Sequence, residues 1–561
     1  MAIASLLLER GLITQRQLDQ AATERANTGE RIERALIRLG FVSRQQALDA
    51  VGDQFHMPVV DIASLAPDPA ALAALPAKVV FRHRCVPIAK DQGTLTVATS
   101  DPYELAVLDE LKLLTGCTIT LVLADEDELQ KFIRLHYGVG GDTLDAMAAG
   151  LDKAAQLVEA KPADEVEQAQ EASVIKLVND LLAEAIAERA TDVHIEPYEH
   201  ELIVRYRIDG VLHKANVPPT ITRFGAAIIS RLKIMASLNI AEKRRPQDGR
   251  ITFRHRGPGQ ATQEFDLRVS VIPMIAGEGV VLRVLSKAAV LMPLTDLGMP
   301  DNVLTPWTRL IARPHGILLV TGPTGSGKST TLYASLNQIV SEEIKVITIE
   351  DPVEYHVAGV NQIQVSHKVG LDFASGLRSI LRHDPDVVMI GEIRDKETAE
   401  TAIQASLTGH LVFSTLHTND AAGATTRLLD MGVEPFLVSS SLEGVMAQRL
   451  VRRICRECAT PYHPEKSELP AGFEMPASGT LTHGTGCRAC RNTGHRGRVG
   501  IYELLSLSEH VREMIMARVN APRIAAAAHD EGNLSLIVED GFAKVRAGVT
   551  TLHEVASAVT T

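Results

Sequence analysis

The sequence predicts an α/β protein of several domains, with a parallel sheet covered on both faces in its C-terminal half. Three observations carry this. The chain has 561 residues, more than one core organises, so length alone points to three or four domains. From about residue 296, short apolar runs alternate with segments of helical spacing, the pattern of parallel strands flanked by helices. One run, Gly316-Ile-Leu-Leu-Val-Thr321, leads directly into Gly322-Pro-Thr-Gly-Ser-Gly-Lys-Ser-Thr330 and then into helical Thr331–Ile339. Strand, glycine-rich loop and helix in that order belong to such a sheet.

The N-terminal half divides into four pieces. Residues 1–60 read as a helical repeat: Leu6–Thr14 and Leu36–Ser43 look alike, Gly11 and Gly40 are placed to end the first helix of each unit, and Thr14 and Ser43 to cap the second. Residues 61–137 read as an α/β unit, with strands at Thr94–Ala98 and Thr118–Leu123 and a helix at Tyr103–Thr115. Residues 138–171 are rich in Gly, Ala, Asp, Glu and Gln and read as a flexible acidic linker. Residues 172–295 form a second α/β unit. It has helices at Val174–Arg189 and Phe224–Ala236, a hairpin signal at Asp209-Gly210 after the strand Leu202–Ile208, and strands at Phe265–Val271 and Val280–Leu285. The parallel-sheet unit takes 296–561, with an insertion at 455–490.

Composition narrows the function classes. A formal net charge of -12 argues against broad, sequence-independent binding to nucleic acid. Apolar runs fall short of a membrane span, and Met1–Arg10 reads as an amphipathic helix and not a signal peptide, so a cytoplasmic location is expected. Cys85 and Cys117 stand alone in apolar surroundings as core thiols, and six cysteines in this length make no disulfide framework.

The chemistry is concentrated in five motifs. Gly322, Pro323, Thr324, Gly325, Ser326, Gly327, Lys328, Ser329 and Thr330 match the Gly-x4-Gly-Lys-[Ser/Thr] phosphate-binding pattern. Its glycines let backbone N–H groups converge on phosphates at a helix N-terminus, Lys328 can reach the β- and γ-phosphates, and the Ser329 hydroxyl can ligate Mg2+. The pattern predicts binding and hydrolysis of ATP with Mg2+. Val346–Glu354 is a strand ending in carboxylates, of which Glu350 and Asp351 are candidates for Mg2+ or the attacking water. In Asp386–Asp395 the place where other phosphate-loop enzymes carry a Mg2+-holding Asp falls on Gly391, which leaves Glu392 to orient or deprotonate water. Gly409–Asp420 is a further strand flanked by His410 and His417, candidate sensors of the γ-phosphate. Cys455-Arg-Glu-Cys458 and Cys487-Arg-Ala-Cys490 are two knuckles that can give four thiolates to one tetrahedral, structural Zn2+. Arg205, Arg207, Arg250, Arg378, Arg382, Arg394 and Arg449 are candidates to approach a γ-phosphate in an oligomer.

Taken together, these motifs resemble the secretion-motor ATPases of type II secretion and type IV pilus assembly, over nearly the whole chain. The most specific marks are Ala190–Pro197, Arg205–Gly210, Ala241–Arg250, Ile349–Glu354, Gly391–Asp395 and the segment holding His410 and His417. The resemblance implies a RecA-like ATPase domain, a PAS-like middle domain, a tetra-Cys zinc knuckle and an N-terminal docking region, in a homohexamer. It assigns phosphate and Mg2+ to Lys328 and Ser329, hydrolysis to Glu392 and Glu350, γ-phosphate sensing to His417, and a contact across the cleft to Arg205. It implies partners at the inner membrane: a platform protein and a cytoplasmic docking protein, with the motor peripheral to the membrane and driving assembly of a pilus or a secretion pseudopilus. A retraction motor is the nearer rival; those relatives generally lack the long N-terminal region and the knuckle, so the assembly motor is favoured. A nucleic-acid translocase is the more distant one. The N-terminal repeat is similar to cyclic di-GMP-binding units, but Ala2-Ile-Ala4 and Arg31-Ile-Glu33 stand where those units begin Arg-Leu-Gly, so no cyclic di-GMP site is expected.

Overall fold

The computed structural model describes residues 2–28, 31–66, 68–102, 106–156, 171–256, 262–286 and 292–560. It divides into two compact units, Met1–Ser286 and Lys287–Thr561.

In the first unit the helical repeat is present as Ala2–Glu9, Gln15–Thr28, Ile32–Arg38 and Arg44–Phe55. Gly11 and Gly40 follow the first and third helices with φ of 67° and 72°, the left-handed backbone that favours glycine. Ser43 caps the fourth helix in a reciprocal capping box with Gln46. Thr14 does the same before the second helix, where its N–H donates to Gln17 Oε1 at 2.8 Å. The α/β unit is a three-stranded sheet of β1 (Cys85–Asp91), β2 (Thr94–Thr99) and β3 (Thr118–Leu123), in that order. Its helix begins at Ala106; residues 103–105 of the expected helix lie outside the described residues.

The expected linker is not one over its first part. Gly141–Gln156 is a helix, and its Leu144 and Met147 are buried in one core with Val174, Leu177 and Leu181. The acidic, small-residue composition hid an apolar i, i+3 pair, which suffices when a neighbouring groove receives it. Residues 157–170 of the expected linker lie outside the described residues. The remaining strands, β4 (Asp192–Pro197), β5 (Leu202–Ile208), β6 (Val211–Lys214), β7 (Gln247–His255), β8 (Gln263–Met274) and β9 (Gly277–Ser286), form an antiparallel sheet ordered β6-β5-β4-β9-β8-β7. The helices Ala172–Ala187 and Gly225–Met235 share its core.

The second unit is built on eight strands: β10 (Gly316–Thr321), β11 (Val346–Glu350), β12 (Val360–Gln364), β13 (Val387–Ile390), β14 (Leu411–Leu416), β15 (Leu442–Ile454), β18 (His495–Ser506) and β19 (Leu534–Ser535). Their order is β12-β11-β13-β14-β10-β15-β18-β19. The first six are parallel, and β18 and β19 add antiparallel. Successive residues of each parallel strand serve opposite faces. Leu319, Ile349, Ile390 and Val412 pack with one set of helices, whereas Leu318, Val346, Met389 and Phe413 pack with Trp307, Leu332 and Leu336 on the other. Burial on both faces explains why these strands read as unbroken apolar runs. The two short strands β16 (Ala459–Tyr462) and β17 (Leu481–Gly484) pair in the insertion.

Candidate active site

Four parallel strands deliver site residues just past their carboxyl ends, where open α/β sheets place ligands. After β10 the chain turns through Gly322, Gly325 and Gly327, with φ of 145°, 82° and 91°, conformations that exclude most side chains. The helix Lys328–Ile339 starts at once, and its N-cap Gly327 contributes no side-chain cap. The first N–H groups of Lys328, Ser329 and Thr330 therefore lack helical partners and suit phosphate oxygens. Lys328 Nζ donates to the carbonyls of Gly322 at 2.8 Å and Pro323 at 3.1 Å. Burial lowers its ammonium to about 8, against the pull of the Glu392 carboxylate and with the push of Arg449.

Glu392 lies beyond β13 with its side chain 13% exposed. It forms an ion pair with Arg394, Nη2 to Oε1 at 2.6 Å, and faces His417 Nε2 at 3.3 Å. Just before it, Gly391 packs closely on β11, where an added Cβ would stand 3.3 Å from the Cα of Glu350. Glu392, Arg394, His417 and, through its field, Lys328 thus share one end of the sheet. Asp395 is spent on the backbone: its Oδ1 accepts from Thr398 N at 2.8 Å and caps the helix Lys396–Leu407.

Glu350 is placed differently. It is 4% exposed, and its carboxylate accepts from Thr348 Oγ1 at 2.6 Å, Gln362 Nε2 at 3.2 Å and the Tyr333 hydroxyl. Burial pushes the Tyr333 phenol upward, which keeps it a donor. Tyr333 sits on the phosphate-loop helix and so anchors the end of β11 to it. Sequence reasoning missed Tyr333, Thr348 and Gln362; only the polar Thr inside an apolar strand carried a signal.

His410 does not join His417. It precedes β14, at the opposite end of a six-residue strand spanning roughly 20 Å. Its Nδ1 lies 2.8 Å from the Ala405 carbonyl, a contact at the end of the preceding helix. Arg378 pairs with Glu397, and Arg382 donates to the Arg378 carbonyl at 2.7 Å. Arg205 belongs to the first unit, where it pairs with Glu196 at 2.5 Å and keeps a buried Nε without a hydrogen-bond partner.

The four knuckle thiols converge. Their sulfurs lie within 4.8 Å of one another, with Cys455–Cys487 at 3.8 Å, Cys458–Cys490 at 3.8 Å and Cys487–Cys490 at 3.7 Å. A tetrahedral ion with metal–sulfur bonds of about 2.3 Å separates its ligands by roughly 3.8 Å, so the donor set fits a zinc ion. Cys490 Sγ also accepts from the N–H groups of Cys487 at 3.1 Å and Gly494 at 3.3 Å, contacts that favour a thiolate.

A parallel sheet with a phosphate loop at its carboxyl edge and the half-buried Glu392 beside it places the chain in the P-loop class, and its family and its ATPase relative make it an ATP hydrolase. Its family is equally plain: residues 167–557 match the type II/IV secretion system protein family, and the chain belongs to it. Residues 55–143 match a second model, the MshEN domain. The chain is 42% identical over 560 residues to the type IV pilus assembly ATPase PilB of Myxococcus xanthus, covering 99% of this chain and 98% of that protein. It is 40% identical over 565 residues to the type II secretion system protein E of Xanthomonas campestris pv. campestris, covering 99% and 97%. Among solved structures, the ATPase DotB of Yersinia pseudotuberculosis has a TM-score of 0.52 at 22% identity, covering 68% of this chain and 93% of that one, a likeness of fold alone.

Proposed function

We propose that this ATP hydrolase is a homohexameric motor, peripheral to the inner membrane on its cytoplasmic side, that drives assembly of a type IV pilus or a type II secretion pseudopilus through a platform protein. The observation that supports it most is the near full-length similarity to an assembly ATPase and a secretion protein E, joined to a site that holds a phosphate loop and a water-directing glutamate together. Those two relatives also favour assembly over retraction. Among the described residues no helix is long and apolar enough to cross a membrane.

Bound ATP and Mg2+ supply the scissile bond and the charge that shields the phosphates. The chain's residues do the rest. The loop N–H groups and Lys328 bind the phosphates, and Ser329 offers its hydroxyl to Mg2+. Glu392 orients a water and takes its proton, while Arg394 and His417 hold that carboxylate. Glu350 serves from behind by fixing the end of β11. Arg205 and Arg378 meet the nucleotide within the hexamer. Cys455, Cys458, Cys487 and Cys490 hold a structural zinc. The MshEN domain is a cyclic di-GMP-binding type, which counts against the expectation of no such ligand; calorimetric titration of the full chain with cyclic di-GMP decides it.

The deciding experiment pairs ATP turnover of the purified chain with filament assembly in cells carrying Lys328→Ala. We expect turnover by the wild type and loss of both turnover and filaments in the variant. A chain without turnover, or filaments assembled by Lys328→Ala, overturns the reading.

A further inference from the structure

Strand β15 does not stop at the carboxyl edge of the sheet. Its register pairs Ala447 with Thr321, the last residue of β10, so Gln448 and Arg449 run past that edge and lie against the phosphate loop. Both are buried, at 2% and 6% exposure. A Cβ on Gly322 would stand 2.5 Å from the Gln448 carbonyl and 3.2 Å from Arg449 Nη1, and one on Gly327 2.7 Å from Gln448 Nε2. Gln448 Oε1 accepts from Thr331 Oγ1 at 2.7 Å. The two glycines are therefore seated on this pair of side chains.

Arg449 reaches further. Its Nη1 donates to the Gln448 carbonyl at 3.2 Å, and its Nη2 donates to Asn419 at 3.0 Å (carbonyl) and 3.3 Å (Oδ1). Asn419 lies two residues beyond His417. A second tie runs alongside, where Thr418 N donates to Thr321 Oγ1 at 2.8 Å and the two hydroxyls stand 2.8 Å apart. The segment that carries His417 is thus fastened to both margins of β10's carboxyl end.

Packing alone does not explain an arginine here. Burial lowers its pKa against the fields of Glu503 and Asp420, and its Nε is buried without a hydrogen-bond partner. A buried cation with an unused donor costs stability that an aliphatic residue would not. Such local violations mark positions kept for another reason.

We propose that Arg449 is a positioning residue for hydrolysis. It locks the Thr418–Asp420 segment to the phosphate loop, so that phosphate engagement at Gly322–Lys328 sets the placement of His417 against Glu392. This rests on the reading of Glu392 and His417 as the hydrolytic pair. The guanidinium hydrogen bonds go to Gln448 and Asn419, and on this proposal it acts through His417.

The test is a double-mutant cycle on the full chain, with steady-state ATP turnover and fluorescent-ADP binding for wild type, Arg449→Lys, His417→Ala and the double variant. Lysine keeps the charge but cannot hold Gln448 and Asn419 together. We expect Arg449→Lys to lower kcat about tenfold to a hundredfold, while KM and ADP affinity stay within about threefold of wild type. The double variant should be no more than about threefold slower than His417→Ala. Losses that multiply in full, or a raised KM with kcat intact, overturn the proposal. A His417→Ala variant with unchanged kcat overturns instead the hydrolytic reading beneath it. Should Arg449→Lys lack a cooperative melt, Asn419→Ala, which removes one acceptor of the same tie, must show the same fall in kcat at constant ADP affinity; wild-type kcat there also overturns the proposal.

Discussion

Around the phosphate loop, every strand that delivers a site residue is buried on both faces, and the side chains behind the loop are held by hydrogen bonds that need no ligand. Glu350 has three donors, and Gln448 and Arg449 are fixed to Thr331 and Asn419. The tetra-Cys knuckle, at the far end of the β15–β18 ribbon, is made the other way. Its own buried cluster consists of Cys455, Cys458 and Cys490, with Cys487 and Ala489 beside them. The same two strands pass from one region to the other. At the loop a finished core exists first and chemistry is laid on its edge; at the two Cys pairs the buried cluster is made of the ligating residues themselves, while the chain between them packs through Leu481, Tyr462 and Phe473 on Val545 and Leu552. A phosphate bound at the first region would be a passenger, and a metal ion held by the second would be a structural member.

The sharpest way to break that contrast is to remove chemistry from the loop side without touching its frame. Glu392→Gln keeps size and the contact with Arg394 but cannot take a proton. We expect ATP turnover to fall by about 10²–10³-fold, with nucleotide affinity and melting temperature near wild type. A variant that loses its fold would show that Glu392 is structural, and one that retains turnover would remove it from the mechanism.

The second test removes the ligand from the knuckle. Metal analysis of the purified chain should find about one zinc ion per chain. Chelation, or Cys458→Ser, should open the two Cys pairs, residues 455–458 and 485–494, to protease while Gly316–Leu450 stays protected against hydrogen exchange. Protection of the knuckle after complete chelation would show that the four thiols hold their fold without metal, and the contrast would collapse.

How far each region was legible in the sequence follows from the same difference. The placement of the loop, Glu392 and His417 at one end of the sheet was readable because their backbone needs are local: glycines at positive φ, a strand before and a helix after. The cysteine pairs were readable because spacing within a knuckle is local too. What escaped depends on neighbours far apart in the chain. Tyr333, Gln362 and Glu350 meet from a helix and two strands. His410 and His417 look equivalent flanking one strand, yet strand length sends them to opposite ends of the sheet. The helix Gly141–Gln156 was hidden because two buried apolar residues, Leu144 and Met147, sit in a small-residue, acidic segment. Arg449 was visible as one arginine among several, but its burial beside Gly322 was not.

The smallest effect concerns pH, and it separates the two regions by sign. In the free chain burial holds Lys328 at about 8. Bound phosphates favour the ammonium and raise that value. Below pH ~8 the lysine is charged in both states, and affinity should be flat with respect to this group. Above it the free loop has lost the proton that binding must take up again, so affinity should fall by at most about tenfold per pH unit. Folding moves oppositely over the same window. The unfolded chain, with an ordinary lysine, binds more protons there than the folded one, so this group's contribution to stability rises with pH. Fluorescent-ADP titrations from pH ~7 to ~9.5 should show the slope in wild type and its absence in Lys328→Met. An equal slope in the variant would assign the dependence to another group. Zinc binding at the knuckle runs the other way, because the metal displaces protons from thiols and gains affinity as pH rises. Mildly alkaline buffer should therefore weaken the passenger at the loop while tightening the structural member at the end of the same two strands.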